Sequence, residues 1–186
     1  LATALQAAAA ARALILSYYH GEFDVEIKSD LTPVTVADRE AERVNRETIT
    51  AAYPAHGVNG EEFGRDVHDY EYLGLVDPID GTKSFVKRYG MFSTQIALMH
   101  EGQLVLGVSC APAMDELAWA TRGSGAYTAD GRLQVSDIAD IKHASVSTGN
   151  IQSLAASGRW GALGGVLASA NRTRGYGDYY HYHRLA

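Results

Sequence analysis

LVDPIDGTKSF, residues 75–85, joins the end of an apolar run to two carboxylates that are spaced three residues apart. Asp77 suits the N-cap of a helix, Pro78 its first position and Asp80 its third. Side chains three positions apart lie on one side of a helical turn, so we expect the two carboxylates to share a cation. The amides of residues 81–83 would lie near the same helix N-terminus, which favours phosphate. The stretch therefore predicts a Mg²⁺ site made of oxygen ligands beside a phosphate-binding turn.

The composition is typical of a globular protein. The chain is 46% hydrophobic and 20% charged. Its 186 residues are enough for one sizeable core or two small lobes. The net charge of −6 argues against a nucleic-acid-binding surface. The single cysteine, Cys110, excludes an internal disulfide and predicts a buried thiol in a reducing compartment. The apolar segment 1–16 is short and is interrupted by Gln6 and Arg12, so we expect an amphipathic helix and no membrane span.

Hydrophobic periodicity and turn residues predict the order of helices and strands. The expected helices cover residues 1–19, 36–52, 154–167 and 177–186. The expected strands cover residues 23–27, 57–60, 72–76, 94–99, 104–109, 117–120, 125–128 and 144–147, of which 57–60 is a short strand or a turn. Glu101-Gly102 separates two apolar runs and predicts a hairpin there. This order predicts an α+β or layered α/β architecture.

Two further acidic positions precede the central stretch. Asp38 is the last residue of the capping box that starts at Thr35, and taken alone it is most simply a helix cap. Glu61 and Glu62 follow a glycine and taken alone are most simply solvated loop charges. Asp77 differs, because a carboxylate in line with a buried strand is costly unless it is paired or bound to a metal.

Three motifs together resemble the inositol monophosphatase superfamily of Mg²⁺-dependent, lithium-sensitive phosphomonoesterases. DLTPVTVAD at 30–38, GEEFG at 60–64 and VDPIDGTKSF at 76–85 stand in the order and at the spacing of that family. The resemblance covers most of the chain. It implies a layered αβαβα sandwich and a cytoplasmic homodimer that acts on a small-molecule phosphate monoester, with no nucleic-acid or membrane partner.

The resemblance also implies the metal ligands. Glu61, Asp77 and the carbonyl of Ile79 would hold a first Mg²⁺. Asp77 and Asp80 would hold a second one, and Glu61 would also serve a loosely held third ion. Li⁺ is expected to inhibit.

The same resemblance implies the catalytic and substrate-binding residues. Thr82 and Asp38 would orient and deprotonate a metal-bound water, which attacks phosphorus in line without a phosphoenzyme. The amides of Gly81 and Thr82 would bind the phosphate. Lys28 could add a positive charge there, although a solvated surface lysine is the simpler interpretation.

Details of the motifs favour the histidinol-phosphate phosphatase branch. PVT before Ala-Asp, GEEFG, DGTKSF and RGYGD at 174–178 resemble that branch, whereas inositol phosphatases tend to have Gly-Thr-Ala in the last motif. Asp178 would place a carboxylate near the non-phosphate end of the substrate, where it suits an amine or imidazolium. An N-cap of the last helix is an equally good interpretation of Asp178.

Other functions stay open on the sequence alone. The alternatives with the same chemistry are an inositol-1-phosphatase and a broader sugar or nucleotide phosphatase. The alternative of another class is a non-catalytic relative that binds RNA-polymerase factors or regulates transcription.

The chain departs from the family pattern at its C-terminal end. The family has a later Trp-Asp motif, whose Asp binds the second metal, and neither Trp119 nor Trp160 is followed by Asp. We therefore expect a single domain over residues 1–186 that is truncated before this motif, with the last layer incomplete. Since the chain does not begin with Met, we also expect residues to be missing at the N-terminus.

Overall fold

The computed structural model describes residues 1–28, 33–65 and 70–185. The chain divides into two compact units, residues 1–133 and 134–186. The expectation of one truncated domain stays a prediction. Within the described ranges, no helix has the length and apolarity that crossing a membrane requires.

The first unit contains a large mixed sheet. A separate small hairpin consists of β1 (Val25–Ile27) and β2 (Pro33–Thr35). The strands of the large sheet are β3 (Gly57–Gly60), β4 (Gly64–Arg65), β5 (Tyr72–Asp80), β6 (Ser93–His100), β7 (Gln103–Ala111), β8 (Glu116–Thr121), β9 (Gly125–Thr128) and β10 (Gly131–Arg132). Among the described residues, eight strands form the large sheet in the order β10-β9-β8-β7-β6-β5-β3-β4. β3 and β5 run parallel and the other neighbours antiparallel. β1 pairs with β2 in the small hairpin.

The hairpin predicted around Glu101-Gly102 is confirmed. β6 and β7 pair antiparallel on either side of these two residues. Both have a positive φ, 47° for Glu101 and 76° for Gly102, which is the left-handed backbone that tight hairpin turns require.

Helices α1 (Ala2–His20) and α2 (Val36–Ala52), both of which were predicted, pack on this sheet. α1 buries an alanine stripe together with Ile15. Small side chains let the two helices approach each other and the strands closely. The core forms two clusters, centred on Ala4, Ala7, Ala8, Ile49, Val58, Val76, Ile96, Val108 and Cys110, and on Ala11, Ile15, Ala37, Ala41, Ile79, Phe85 and Phe92. The prediction that Cys110 is buried is confirmed.

The prediction that Asp77 caps a helix beginning at Pro78 is wrong. β5 continues through Asp80, and Asp77 pairs with Gln95 before a bulge shifts the register. The bulge tolerates Pro78, which has no amide hydrogen to donate to the ladder. The helix, α3 (Thr82–Val86), begins only after Gly81, whose φ of 96° turns the chain out of the sheet.

The second unit is smaller. It holds β11 (Ser145–Ser147) and β12 (Arg172–Arg174), which pair in parallel, and helices α4 (Ile151–Ala156), α5 (Trp160–Ser169) and α6 (Tyr180–Leu185). The single helix predicted over 154–167 is wrong, because the extended backbone of Ser157, just before Gly158, divides it in two.

The predicted start of the last helix is also wrong. Gly177 and Asp178 have φ values of 82° and 45°, and this left-handed backbone cannot continue into an α-helix. α6 begins at Tyr180, so Asp178 precedes the capping position and does not serve as the N-cap. The predicted end of this helix, residue 186, lies outside the described residues.

Candidate active site

The turn from β5 into α3 is held in place by an aromatic anchor. Phe85 of α3 is fully buried and packs against Phe23 and Phe92, with ring centroids 4.9 and 5.1 Å away. The carbonyl of Gly81 accepts hydrogen bonds from the amides of Ser84 at 2.8 Å and Phe85 at 3.0 Å. The amides of Thr82 and Lys83 come before these two at the helix N-terminus, a position that favours an anion.

Asp77 is a strongly perturbed carboxyl group. Its Oδ1 atom is buried and has no hydrogen-bond partner among the described residues. Burial, followed by the negative charges of Glu61 and Asp80 and a hydrogen bond to Glu61, raises the pKa of Asp77 to about 8. A carboxylate in such surroundings needs a cation to remain ionised at neutral pH.

The loop after β3 brings two more carboxylates to this region. The amide of Glu61 donates to the Val76 carbonyl at 3.1 Å, which fixes the loop to β5. The side chain of Glu61 is 45% exposed, and that of Glu62 only 5%. Burial raises the pKa of Glu62, and the neighbouring Lys28 ammonium opposes that rise.

Lys28 is an ion-pair partner of this acidic loop. Its Nζ atom lies 3.2 Å from Glu61 Oε1 and 2.7 Å from Glu62 Oε1. Burial lowers the pKa of Lys28, but its hydrogen bonds to Glu62 and Glu61 outweigh this effect and raise it overall. Lys28 is therefore neither a solvated surface lysine nor remote from the site. Its role in substrate binding stays a prediction.

Asp38 and Thr82 are joined by a hydrogen bond. Thr82 Oγ1 lies 3.1 Å from Asp38 Oδ1 and also 3.1 Å from the Ile79 carbonyl oxygen. The other oxygen of Asp38 accepts hydrogen bonds from the Thr35 amide at 2.8 Å and from its hydroxyl at 2.6 Å. Asp38 thus caps α2 as expected and also reaches the β5–α3 turn. Burial raises its pKa, and the hydrogen bonds from Thr35 and Thr82 oppose that rise.

The structure brings the predicted site residues together to different degrees. Asp77 lies close to Glu61 and is affected by the charge of Asp80. Across residues 1–28, 33–65 and 70–185, however, no three His, Cys, Asp or Glu side chains are arranged closely enough to hold a metal ion. The side chain of Glu61 also pairs with Lys28. Asp178 belongs to the second unit, at a left-handed turn.

Two residues that contact the site were not predicted. Glu42 and Arg46 form an ion pair on α2, with Glu42 Oε1 2.7 Å from Arg46 Nε, and the carboxylate of Glu42 is fully buried. Both reach the backbone around the Glu61 loop. A charged pair at i and i+4 on the apolar face of an amphipathic helix is the sequence signal that could have revealed them.

The oxygen donors of this region fit Mg²⁺. Carboxylates and a backbone carbonyl are the hard ligands that this ion prefers. The unpartnered Oδ1 of Asp77 and the raised pKa of its carboxyl group indicate that a positive charge is needed there. Asp77, Asp80, Glu61 and the Ile79 carbonyl are the residues that would hold it, once the Glu61 side chain exchanges Lys28 for the ion.

The fold and the carboxylate-rich site belong to one known protein family. The family model described as inositol monophosphatase family matches residues 1–159, and the chain belongs to that family. The resemblance inferred from the three motifs and the expected fold class are thereby confirmed.

Individual proteins match this chain, two of them by sequence and one by its solved structure. A histidinol-phosphatase of Mycobacterium tuberculosis is 40% identical over 163 residues, which cover 85% of this chain and 63% of the relative. A histidinol-phosphatase of Chlorobaculum parvum is 38% identical over 181 residues, covering 97% and 70%. The crystal structure of extragenic suppressor protein suhB from Bartonella henselae matches with a TM-score of 0.86 and 30% identity, covering 95% of this chain and 69% of that one. The chain thus spans about two thirds of the length of these relatives.

Proposed function

We propose that the complete protein is a Mg²⁺-dependent phosphomonoester hydrolase. The observation that carries this proposal is the buried, unpartnered Asp77 oxygen, which lies beside Glu61 and Asp80 and just before a helix N-terminus. A cation beside an anion-binding turn is the arrangement that phosphate esters require. Family membership supports the same class of reaction.

Asp77, Asp80, Glu61 and the Ile79 carbonyl would hold two or three Mg²⁺ ions. When bound, these ions neutralise the phosphate charge and make a water molecule easier to ionise. The amides of Gly81 and Thr82 would orient the phosphate at the start of α3. The scissile ester would then lie next to the hydrogen bond between Thr82 and Asp38.

Asp38 and Thr82 would remove the proton of the attacking water. The water O–H bond would break as its oxygen bonds to phosphorus. The bond between phosphorus and the ester oxygen would break on the opposite side, and the departing oxygen would take a proton from solvent to give the alcohol. The proton passes to Asp38 through the Thr82 hydroxyl, whose oxygen is 3.1 Å from Asp38 Oδ1. Burial of Asp38 raises its pKa, which makes it a better proton acceptor than a solvated aspartate.

The proposed substrate is L-histidinol phosphate. Two of the relatives, at 40% and 38% identity, carry the name histidinol-phosphatase, which supports this choice. The carboxylate of Asp178 would pair with the cationic part of this substrate. Its φ of 45° belongs to a turn that Asn also adopts, so Asp178→Asn tests the charge without changing the backbone.

Paired kinetics test the substrate. We expect the wild type to prefer histidinol phosphate to inositol monophosphate, and Asp178→Asn to lower kcat/KM about thirtyfold on histidinol phosphate only, which corresponds to about 2 kcal/mol. Asp137→Asn, at an exposed position of the same unit, is the matched control. Equal losses on both esters would reduce Asp178 to a structural residue. A wild-type preference for inositol phosphate would reassign the enzyme, and no turnover of any ester would favour a regulatory protein.

We further propose that the complete protein is a cytoplasmic homodimer. The support is the resemblance to its family. Sedimentation of the purified protein tests the dimer, and a monomer at all concentrations would contradict it.

A further inference from the structure

The ion pair between Glu42 and Arg46 hydrogen-bonds to the backbone of the loop that carries Glu61 and Glu62. Glu42 Oε2 accepts a hydrogen bond from the Glu62 amide at 2.6 Å, and its Oε1 accepts one from the Phe63 amide at 3.3 Å. One buried carboxylate therefore binds two consecutive amides of the segment that carries Glu61.

Arg46 holds the two strands that flank this loop. Its Nη1 atom donates to the Val58 carbonyl of β3 at 3.1 Å, and its Nη2 atom donates to the Gly64 carbonyl of β4. Its Nε atom donates to Glu42 at 2.7 Å. The planar guanidinium fixes the carboxylate and both ends of the loop at once, which a lysine could not do.

Gly60 leaves the space that this contact occupies. A Cβ atom at Gly60 would lie 1.9 Å from Glu42 Oε1. The carboxylate thus fills the volume where a side chain would otherwise stand, directly before Glu61. The Glu42 carboxylate is fully buried, and the hydrogen bonds from two amides and from Arg46 offset the cost of its desolvation.

We propose that Glu42 is a positioning residue for the metal site, and that it acts by holding the main chain of Glu61 and Glu62 beside Asp77. Arg46 supports it by compensating the buried charge. The inference rests on the proposed function, since it assumes that Glu61 is a metal ligand. Glu42 itself touches neither the metal nor the substrate.

Mn²⁺ binding tests this role without an activity assay. Mn²⁺ serves as the probe, and its free fraction is measured by electron paramagnetic resonance on the complete protein. Glu42→Gln retains the shape but presents an amide NH₂ to groups that are themselves donors. We expect its Kd for Mn²⁺ to rise 10- to 100-fold, the loss found when groups that orient metal ligands are removed. Glu47→Gln, on the exposed side of the same helix, is the matched control and should leave Kd unchanged.

Activity separates positioning from catalysis. At saturating Mg²⁺, Glu42→Gln should regain a kcat within a fewfold of the wild type, because the ligands themselves are intact. The Kd of Arg46→Lys for Mn²⁺ should lie between the values of the wild type and Glu42→Gln. A kcat that stays low at saturating Mg²⁺ would overturn the positioning role.

Each remaining outcome is decisive. If the wild type binds Mn²⁺ and Glu42→Gln binds it equally well, the inference fails while the proposed function stands. If the wild type binds no Mn²⁺, the proposed function fails and the inference with it. If Glu42→Gln does not fold, hydrogen exchange on the wild type decides. Slow exchange of the Glu62 and Phe63 amides supports their hydrogen bonds to Glu42, and fast exchange overturns the inference.

Discussion

The carboxyl group of Asp77 is expected to make the metal-free protein less stable as the pH rises. In the unfolded chain its pKa is near the ordinary value of 3.8, whereas in the folded protein it is raised to about 8. Between these values the folded protein holds a proton that the unfolded chain releases. The contribution of Asp77 to the free energy of unfolding is therefore greatest below about pH 4 and falls until about pH 8.

The magnitude follows from the two pKa values. Each pH unit between them costs about 1.4 kcal/mol, so the fall from pH 5 to pH 7 would be about 3 kcal/mol for an isolated group. Glu61 and Asp80 act on the same proton. Because the three groups share the charge, we expect a fall of about 2 kcal/mol that can be assigned to Asp77. The substitution Asp77→Asn, which is neutral at every pH, should remove this part.

The measurement is urea-induced unfolding in EDTA at several pH values between about 5 and 8. Between pH 5 and pH 7, the stability of Asp77→Asn relative to the wild type should rise by about 2 kcal/mol. Saturating Mg²⁺ should oppose this difference, since a ligand at about 100 times its Kd adds about 2.7 kcal/mol to the wild type alone. Phosphate release by Asp77→Asn should be abolished. Asp130→Asn, at an exposed position of the same unit, serves as the control.

Two results would refute this reasoning. The first is a wild-type stability in EDTA that falls with pH no more steeply than that of Asp77→Asn. The second is an Asp77→Asn protein that is stabilised by Mg²⁺ as strongly as the wild type, or that turns over substrate near normally. Either result would remove Asp77 from the proposed metal site.

Two further expectations concern the turn after β5. Thr82→Ala should lower kcat about 100-fold with little change in KM, because it removes the hydroxyl that hydrogen-bonds Asp38. Thr82→Ser, which keeps a hydroxyl, should retain most of the rate. Steady-state kinetics in which only KM rises would contradict the proton-transfer role. Phe85→Ala should lower the free energy of unfolding by about 3–5 kcal/mol, because Phe85 is fully buried. Tyr89→Ala, where the side chain is 59% exposed, should change it by less than about 1 kcal/mol in the same urea titration, and similar losses in both variants would place the core elsewhere.

Local signals predicted the long elements well. α1 and α2 lie within one or two residues of their predicted bounds, because helix periodicity and the Thr35–Asp38 capping box are encoded in adjacent residues. The β6–β7 hairpin was predictable for the same reason, since Glu101-Gly102 is a local turn signal.

The end of β5 could not be predicted from local signals. Asp-Pro-Ile-Asp is a good helix start when the sequence is considered alone. What decides between helix and strand is the pairing of Asp80 with Ser93, which is remote in the sequence. Asp77 and Asp80 therefore lie on either side of a bulge in β5. The helix begins two residues after Asp80.

The supporting contacts of the site were equally hidden. The sequence indicated Glu61 and Asp77 as candidate ligands, because their motifs carry that chemistry. The charged pair on α2 could indicate Glu42 itself, but not its bond to the amide of Glu62, because this contact joins residues 20 positions apart. The pairing of Lys28 with the same loop depends on the fold in the same way.

The inner position of β5 has a consequence for folding kinetics. β5 carries Asp77 and Asp80 and pairs in parallel with β3 on one side, which leads into Glu61, and antiparallel with β6 on the other. Closing these non-local pairings is slow compared with the formation of α1 or α2. The carboxylates therefore meet only after the centre of the sheet has assembled. The appearance of tight Mn²⁺ binding during refolding should coincide with the slow phase that buries β5, and not with the earlier rise in helical signal.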